Sequence, residues 1–129
     1  MQKVTAAIIE KEGRVLIGRR KAGDRFGGLW EFPGGKLETG EDPREGLRRE
    51  LREELGVEAR IGRFLGSFPY RSSGLSIELL AFRASIEAGD PALHDHDEIL
   101  WVPLEALADY PLTEPDKPLA AILAGGGEA

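Results

Sequence analysis

Cysteine is absent from this chain of 129 residues. Disulfide bonds and thiolate metal sites are therefore excluded, and an intracellular location is favoured over an oxidising compartment. The first residues lead straight into a short apolar run, without the architecture of a signal peptide. Together these absences predict a cytoplasmic protein.

Long apolar runs and an excess of positive charge are also missing. No stretch approaches the roughly 20 apolar residues that a membrane-spanning helix needs, so we expect no membrane association. The formal net charge is −6, which does not suit a partner as acidic as long nucleic acid. A small phosphate-bearing ligand stays compatible, because a bound cation can invert the sign of an acidic site locally. The sequence carries no signal for an oligomeric state.

The composition that remains is that of a single folded domain. Hydrophobic residues make up 41% of the chain and charged residues 31%, as in ordinary globular proteins. The length also suits one domain with a sizeable core. We expect residues 1–124 to form that domain and the glycine-rich residues 125–129 to form a flexible tail.

One 23-residue stretch, residues 35–57, carries most of the recognisable chemistry. Its second half predicts a helix, because Asp42 suits the N-cap, Pro43 suits the first helical position and Gly56 suits the C-terminal cap. Apolar residues recur every four positions and form one stripe. These are Leu47, Leu51 and Leu55.

Acidic side chains lie on one face of this predicted helix. Glu50, Glu53 and Glu54 are spaced i, i+3 and i+4, and the like charges of Glu50 and Glu54 disfavour the helix by about 0.2–0.5 kcal/mol. A hard divalent cation such as Mg²⁺ removes that cost, because it prefers carboxylate oxygens. The alternative is a solvated acidic face supported by a Glu45, Arg49, Glu53 ladder at i, i+4 spacing.

The whole stretch resembles the complete signature of the Nudix hydrolases. Every fixed position of that signature is filled by the expected residue type: Gly35, Glu41, Arg49, Glu50, Leu51, Glu53, Glu54, Gly56 and Val57. Beyond the signature, the chain resembles the MutT-like branch, which acts on nucleoside triphosphates, from about residue 4 to about residue 124. The resemblance therefore favours a single Nudix domain with its box at residues 35–57.

The pattern outside the box predicts several strands and two late helices. Strands are predicted over residues 4–10, 14–20, 29–32, 58–67, 74–86 and 98–102, and helices over residues 104–109 and 116–124. A turn is predicted over residues 68–73. This order suggests an α/β or α+β protein, and the resemblance implies an α/β/α sandwich with a mixed β-sheet between helices.

The resemblance also implies a metal site built from the box. The implied ligands are the carbonyl oxygen of the opening glycine and the helical glutamates, namely Gly35, Glu50, Glu53 and Glu54. The ion would be Mg²⁺, with Mn²⁺ as a substitute. Arg49, the arginine of the box, would act catalytically by orienting these glutamates.

A further acidic residue is implied outside the box. MutT-like chains often carry a glutamate a few residues before the tryptophan of a later strand, where it binds metal or activates water. Counting back from Trp101, Asp95 takes that place with a side chain one methylene shorter. The general base stays open among Asp95, Asp97, Glu98 and the box glutamates.

The same segment contains an H-x-H pair, His94 and His96. Such a pair can bind zinc, but no cysteine or clear third ligand accompanies it. We therefore expect a solvated acidic loop over residues 87–97 rather than a zinc site.

Three residues are candidates for contact with a nucleotide. The resemblance implies that Arg20 and Lys36 contact phosphates; a guanidinium suits phosphate oxygens, although Arg20 could equally be a solvated charge at a strand end. The resemblance also implies that Asp116 reads the base; a carboxylate accepts from an amino group and, when protonated, also donates. Its alternative role is to cap the last helix.

The expected activity is magnesium-dependent hydrolysis of a nucleoside triphosphate to the monophosphate and pyrophosphate. Oxidised purine and modified or plain cytidine triphosphates both agree with the resemblance, as does a role in nucleotide-pool sanitising and DNA repair. One alternative is hydrolysis of another nucleoside diphosphate derivative, such as ADP-ribose or a dinucleoside polyphosphate. Another is a non-catalytic domain that only binds nucleotides.

Overall fold

A computed structural model describes residues 1–24, 26–72 and 74–125. The strands are β1 (Gln2–Lys11), β2 (Arg14–Arg20), β3 (Trp30–Glu31), β4 (Glu58–Ser72), β5 (Leu75–Ala88) and β6 (His96–Pro103). The α-helices are α1 (Pro43–Leu55) and α2 (Lys117–Ala124), and two 3-10 segments cover Leu104–Asp109 and Glu114–Asp116. Most of the tail expected at residues 125–129, from residue 126 onward, lies outside the described residues.

The strands form one mixed sheet. Its order is β3-β2-β1-β5-β4, and β6 also pairs with β2. β1 and β5 run parallel, whereas the other pairs are antiparallel. The mixed sheet expected from the sequence is thus confirmed.

β1 and β2 pair only at their hairpin end, through Glu10 with Val15 and Lys11 with Arg14. Further along β1 its free edge is taken by residues 33–37. There the Thr5 amide donates to the Gly35 carbonyl at 2.8 Å, and the Ala7 amide donates to the Pro33 carbonyl at 2.7 Å. The start of the Nudix-like box is therefore hydrogen-bonded to the central strand.

The two faces of the sheet are covered by different helices, which gives the expected α/β/α sandwich. The leucine stripe of α1 packs on one face: Leu47, Leu51 and Leu55, with Ala7, Ile9, Leu16, Leu80 and Phe82. The apolar side of α2 packs on the other face: Leu119, Ala120 and Leu123, with Ala6, Ile8, Val15, Ile17, Leu79 and Ala81. Consecutive residues of the inner strands alternate between the two clusters, so the sheet is buried on both sides.

Both ends of α1 are fixed as the sequence predicts. The Asp42 carboxylate accepts from the Glu45 amide at 3.1 Å, and Pro43 is the first helical residue. Gly56 adopts the left-handed conformation (φ 69°, ψ 26°) and its amide donates to the Arg52 carbonyl at 3.0 Å. These caps and the leucine stripe fix which face of α1 carries the glutamates.

The predicted turn over residues 68–73 is wrong for its first five residues. Phe68–Ser72 continue β4, and Pro69 pairs with Glu78 of β5. β4 is the last strand in the sheet order, and an edge strand tolerates proline because one side needs no ladder donor.

The C-terminal third also differs from expectation in detail. β6 begins at His96 rather than at residue 98, and the segment after Pro103 is a 3-10 helix. α2 begins at Lys117. Within the described part of the chain, no helix is both long enough and apolar enough to cross a membrane.

Candidate active site

Two adjoining cavities share Arg20 and Glu31 as walls, and Glu54 of α1 lines the larger one. The larger has a volume of about 330 Å³ and is lined by Arg20, Lys21, Asp24, Glu31, Glu54, Asp95 and His96. The smaller, of about 140 Å³, reaches from Lys36 and Gly35 to Asp116. A bigger cavity of about 540 Å³ lies beside Trp101 and the ends of β1 and β5, but none of the box residues lines it.

The glutamates of α1 differ in their surroundings. Glu54 is only 7% exposed, and its Oε1 accepts from the Gly34 amide at 3.1 Å. Burial raises the pKa of Glu54 well above its usual range, and the nearby Glu31 carboxylate adds to the effect. Burial also raises the pKa of Glu50, although the Arg49 guanidinium opposes it. Glu53 is exposed. The site therefore holds more negative charge than its own residues balance.

Arg49 is the main counter-charge. Its guanidinium forms a fork with Glu41, with N–O distances of 2.8 and 2.9 Å. It also donates to Glu50 at 3.1 Å, to Glu53 at 3.2 Å and to the Lys36 carbonyl at 3.2 Å. The bond from Arg49 lowers the pKa of Glu41 to about 2. One guanidinium is thus shared among three carboxylates, which fixes their orientation but leaves excess negative charge.

Gly34, which precedes the box, and Gly35, which opens it, have no room for side chains. A Cβ at Gly34 would overlap the backbone of Thr5, and a Cβ at Gly35 would overlap the carboxylate of Glu50. Gly35 therefore lies in contact with a predicted metal ligand. Its carbonyl oxygen accepts from the Thr5 amide at 2.8 Å and from the Thr5 hydroxyl at 3.2 Å. To bind a metal ion as predicted, this oxygen would either contact the ion while keeping its hydrogen bonds to Thr5 or give up one of those bonds.

Arg20 lines both cavities. Its Nη1 donates to Glu31 Oε1 at 2.8 Å and its Nη2 donates to Asp24 Oδ2 at 2.6 Å. Glu31 in turn contacts His96, with 2.9 Å between Oε2 and Nε2. Arg20 is therefore part of a polar network rather than a solvated charge at a strand end.

The sequence analysis missed Glu31 and placed His96 in a solvated loop, and that placement is wrong. His96 is 3% exposed and belongs to β6. A register shift between Arg19 and Arg20 pairs Arg20 with His96, and Gly18 leaves space for the ring, since a Cβ there would lie 2.7 Å from it. The sequence signal was a glycine inside a strand, which often marks the close approach of another group.

Asp116 lies at the far end of the smaller cavity. It is 5% exposed, and its Oδ2 accepts from the Phe32 amide at 2.9 Å. It directly precedes α2 but makes no capping hydrogen bond with its side chain, so the capping role is wrong. Burial, followed by the Glu31 carboxylate, raises the pKa of Asp116 to about 7.

The raised pKa of Asp116 predicts a pH-dependent stability. The folded pKa of about 7 exceeds the ordinary value of 3.8, so the folded state holds the Asp116 proton more tightly than the unfolded state does. The resulting contribution to the free energy of unfolding is fully present below about pH 3.8 and is lost as the pH rises through 7. Asp116→Asn removes the titration and keeps an oxygen for the Phe32 amide. Between pH 4 and 8, wild type should lose on the order of 4 kcal/mol of unfolding free energy relative to this variant. Denaturant titrations of both proteins measure this; parallel pH profiles would contradict it.

The other predicted residues are distributed around the same cavities. Asp95 is exposed and lines the larger cavity together with Glu54. Lys36 is exposed at the rim of the smaller one. Asp97 and Glu98 instead contact Arg19, at 2.7 and 3.3 Å. Among the candidates for the general base, Asp95 and Glu54 line the larger cavity, whereas Asp97 and Glu98 pair with Arg19.

Comparison with known proteins identifies the family. The NUDIX domain profile matches residues 1–122. The chain belongs to the Nudix family. It is 43% identical over 119 residues to the CTP pyrophosphohydrolase of Escherichia coli K12, a match that covers 92% of this chain and 88% of that protein. It is 33% identical over 106 residues to the 8-oxo-dGTP diphosphatase of Haemophilus influenzae, covering 81% and 78%.

A solved Nudix structure has the same fold. The crystal structure of a MutT protein from Methanosarcina mazei superposes with a TM-score of 0.84 at 26% identity, covering 97% of this chain and 94% of that one. The protein is therefore an enzyme, a MutT-like Nudix pyrophosphohydrolase that acts on nucleotides. Nudix hydrolases use divalent metal ions, which agrees with the uncompensated carboxylates beside α1.

Proposed function

We propose that the protein hydrolyses nucleoside triphosphates, with Mg²⁺, to the monophosphate and pyrophosphate. The observation that supports this most is the position of Glu54. Its carboxylate is buried at the cavity, and only one of its oxygens has a hydrogen-bond partner among the described residues. A buried carboxylate facing a cavity without a counter-charge is costly unless a cation binds it.

The donor set fits Mg²⁺. Glu50, Glu53 and Glu54 offer carboxylate oxygens from one face of α1, and Asp95 lines the larger cavity together with Glu54. These residues, with the Gly35 carbonyl, would hold Mg²⁺ or Mn²⁺. When bound, the ion supplies positive charge that offsets the negative charge of the phosphates. Arg49 keeps the carboxylates oriented through its shared hydrogen bonds.

The chain provides its own cations for the phosphate tail. Arg20 has a buried Nε without a partner among the residues described, although its other nitrogens are paired with acids. Because this atom is buried, a phosphate oxygen would bind it only after the side chain moves. Lys36 lies at the rim of the adjoining cavity and would neutralise a further oxygen. Both cations lie near α1 without contacting its glutamates through their side chains.

The base would occupy the smaller cavity. Ile77 and Leu79 line its apolar side, and Asp116 lies among its polar walls. An ionised Asp116 accepts from an exocyclic amino group, such as that of cytosine, and a protonated one donates to a ring acceptor. The similarity to a CTP pyrophosphohydrolase supports cytidine triphosphates first. The similarity to an 8-oxo-dGTP diphosphatase supports oxidised purines second, and either agrees with nucleotide-pool sanitising in the cytoplasm.

The reaction needs an oriented water more than covalent catalysis. Water attacks a phosphorus atom between the nucleoside and the terminal phosphates, the bond to the bridging oxygen breaks, and pyrophosphate leaves. Asp95 or a box glutamate takes the proton from the attacking water.

A substrate screen tests this function. Purified protein is incubated with canonical, oxidised and methylated nucleotides, with ADP-ribose and with dinucleoside polyphosphates, in Mg²⁺ or in EDTA. We expect the highest kcat/KM for cytidine triphosphates, with phosphate detected only when inorganic pyrophosphatase is added. Direct release of orthophosphate, or activity that persists in EDTA, would contradict the proposal. A preference for ADP-ribose would instead support the alternative substrate class.

A further inference from the structure

A histidine and two carboxylates meet next to the box glutamates. Glu31, Glu54 and His96 each offer a ligand atom, and these atoms all lie within 4.8 Å of one another. Glu31 Oε2 and His96 Nε2 are already 2.9 Å apart. Bond lengths of about 2.0–2.2 Å to a transition metal place neighbouring ligand atoms roughly 3–3.5 Å apart. The three atoms would therefore need only a small closure to share one ion.

The ring of His96 is held in position by the sheet. Its Cα partner in β2 is Arg20, directly after the register shift between β2 and β6. The ring lies over Gly18, where any side chain would collide with it. His96 is 3% exposed, and its Nε2 is directed at Glu31. Nδ1 has no partner within the described part of the chain, whether or not Nε2 binds an ion.

Glu54 provides the open position of this cluster. It is more than nine-tenths buried, and one of its oxygens has no hydrogen-bond partner among the residues that the structure describes. The cavity of about 330 Å³ is lined by all three residues and gives an ion and its water ligands a way in. Arg20 stays bonded to the other oxygen of Glu31.

The chemistry of the donors selects the ion. Imidazole nitrogen with two carboxylates is a ligand set for Zn²⁺ and similar first-row metals, whereas Mg²⁺ prefers oxygen alone. We propose that Glu31, Glu54 and His96 form a binding site for one Zn²⁺-class ion, distinct from the Mg²⁺ position on α1. The ion takes the place of the hydrogen bond between His96 and Glu31.

The two positions would share Glu54. An ion bound to Glu31 and His96 draws the Glu54 carboxylate away from Glu50 and Glu53, so Zn²⁺ and Mg²⁺ compete for it. This competition rests on the proposed function of the box, whereas Zn²⁺ binding itself does not. The two can therefore be tested separately.

Direct binding on the metal-stripped full chain tests the site. Zn²⁺ is titrated against a chromogenic chelator, and Co²⁺ is titrated while its visible absorption is recorded. We expect one equivalent bound by wild type and at least roughly tenfold weaker binding by His96→Gln. Glu31→Gln should weaken binding in the same way, and melting curves show whether each variant is folded. Because the chain has 2 histidines, His94→Gln is the matched control and should bind as wild type does.

The controls separate this inference from the proposed function. Glu53 is outside the cluster, so Glu53→Gln should keep its Zn²⁺ affinity even where it loses hydrolysis. Millimolar Mg²⁺ should weaken apparent Zn²⁺ binding by wild type, and unchanged affinity would overturn the shared role of Glu54. If folded His96→Gln binds Zn²⁺ as tightly as wild type, or if His94→Gln loses binding to the same extent, the site is refuted whatever the enzyme hydrolyses.

Discussion

Replacing Glu53 by glutamine should lower kcat by roughly 10²- to 10³-fold without unfolding the protein. The side chain is 56% exposed, and its hydrogen bonds within the described residues go to Arg49. Its removal therefore leaves the core intact, since Leu51 and Leu55 carry the packing of α1. What it removes is one carboxylate from the face that would hold Mg²⁺.

Steady-state kinetics at saturating nucleotide, with Mg²⁺ varied, measure the effect of Glu53→Gln. Glu45→Gln is the matched control, because Glu45 lies on the same helix, is 63% exposed in its side chain and pairs with Arg48. It should keep wild-type turnover. Equal rates for Glu53→Gln and Glu45→Gln, in two folded proteins, would remove Glu53 from the metal site.

Glu54→Gln should lower kcat about as much as Glu53→Gln does. It should also raise the stability of the metal-free enzyme. The amide oxygen can still accept from the Gly34 amide, as Oε1 does now at 3.1 Å. The variant no longer buries a carboxylate whose pKa is raised by burial and by Glu31. At pH 8 without divalent ions, its melting temperature should therefore exceed that of wild type.

Adding Mg²⁺ should reverse this order. A ligand that binds only the folded state raises its stability in proportion to RT ln(1 + [L]/Kd). Wild type should melt at increasing temperature as Mg²⁺ is titrated, and Glu54→Gln should show little change. Differential scanning fluorimetry with EDTA as the starting point measures both. A Mg²⁺-dependent rise of equal size in the variant would place the ion elsewhere.

The parts of the site that the sequence predicts are those encoded over short distances. The caps Asp42 and Gly56 and the leucine stripe fix the ends and the buried face of α1, so the shared face of Glu50, Glu53 and Glu54 follows from helical periodicity alone. The pattern of the box also indicates the family, and membership of that family predicts a mixed sheet between helices.

The parts that sequence reasoning missed depend on contacts between distant residues. His96 contacts Glu31 across 65 positions, next to a register shift between β2 and β6, and Gly18 alone does not tell which distant ring approaches it. Asp116 accepts from the Phe32 amide across 84 positions, so its helix-cap spacing was misleading. Pro69 favoured the predicted turn over residues 68–73, because proline is excluded from most positions in a sheet. The edge position of β4, which makes proline tolerable there, follows from the sheet order and not from the local sequence.

Because residues 33–37 are hydrogen-bonded to β1, the solvent exchange of two backbone protons depends on the movement of this segment. The amide protons of Thr5 and Ala7 are engaged by the carbonyls of Gly35 and Pro33, so they are released only when that segment detaches from the sheet. Their deuterium uptake therefore reports how often the segment with the glycines beside Glu50 and Glu54 detaches from the sheet. Any nucleotide or metal that holds this segment in place should lower the exchange rates of both amide protons together.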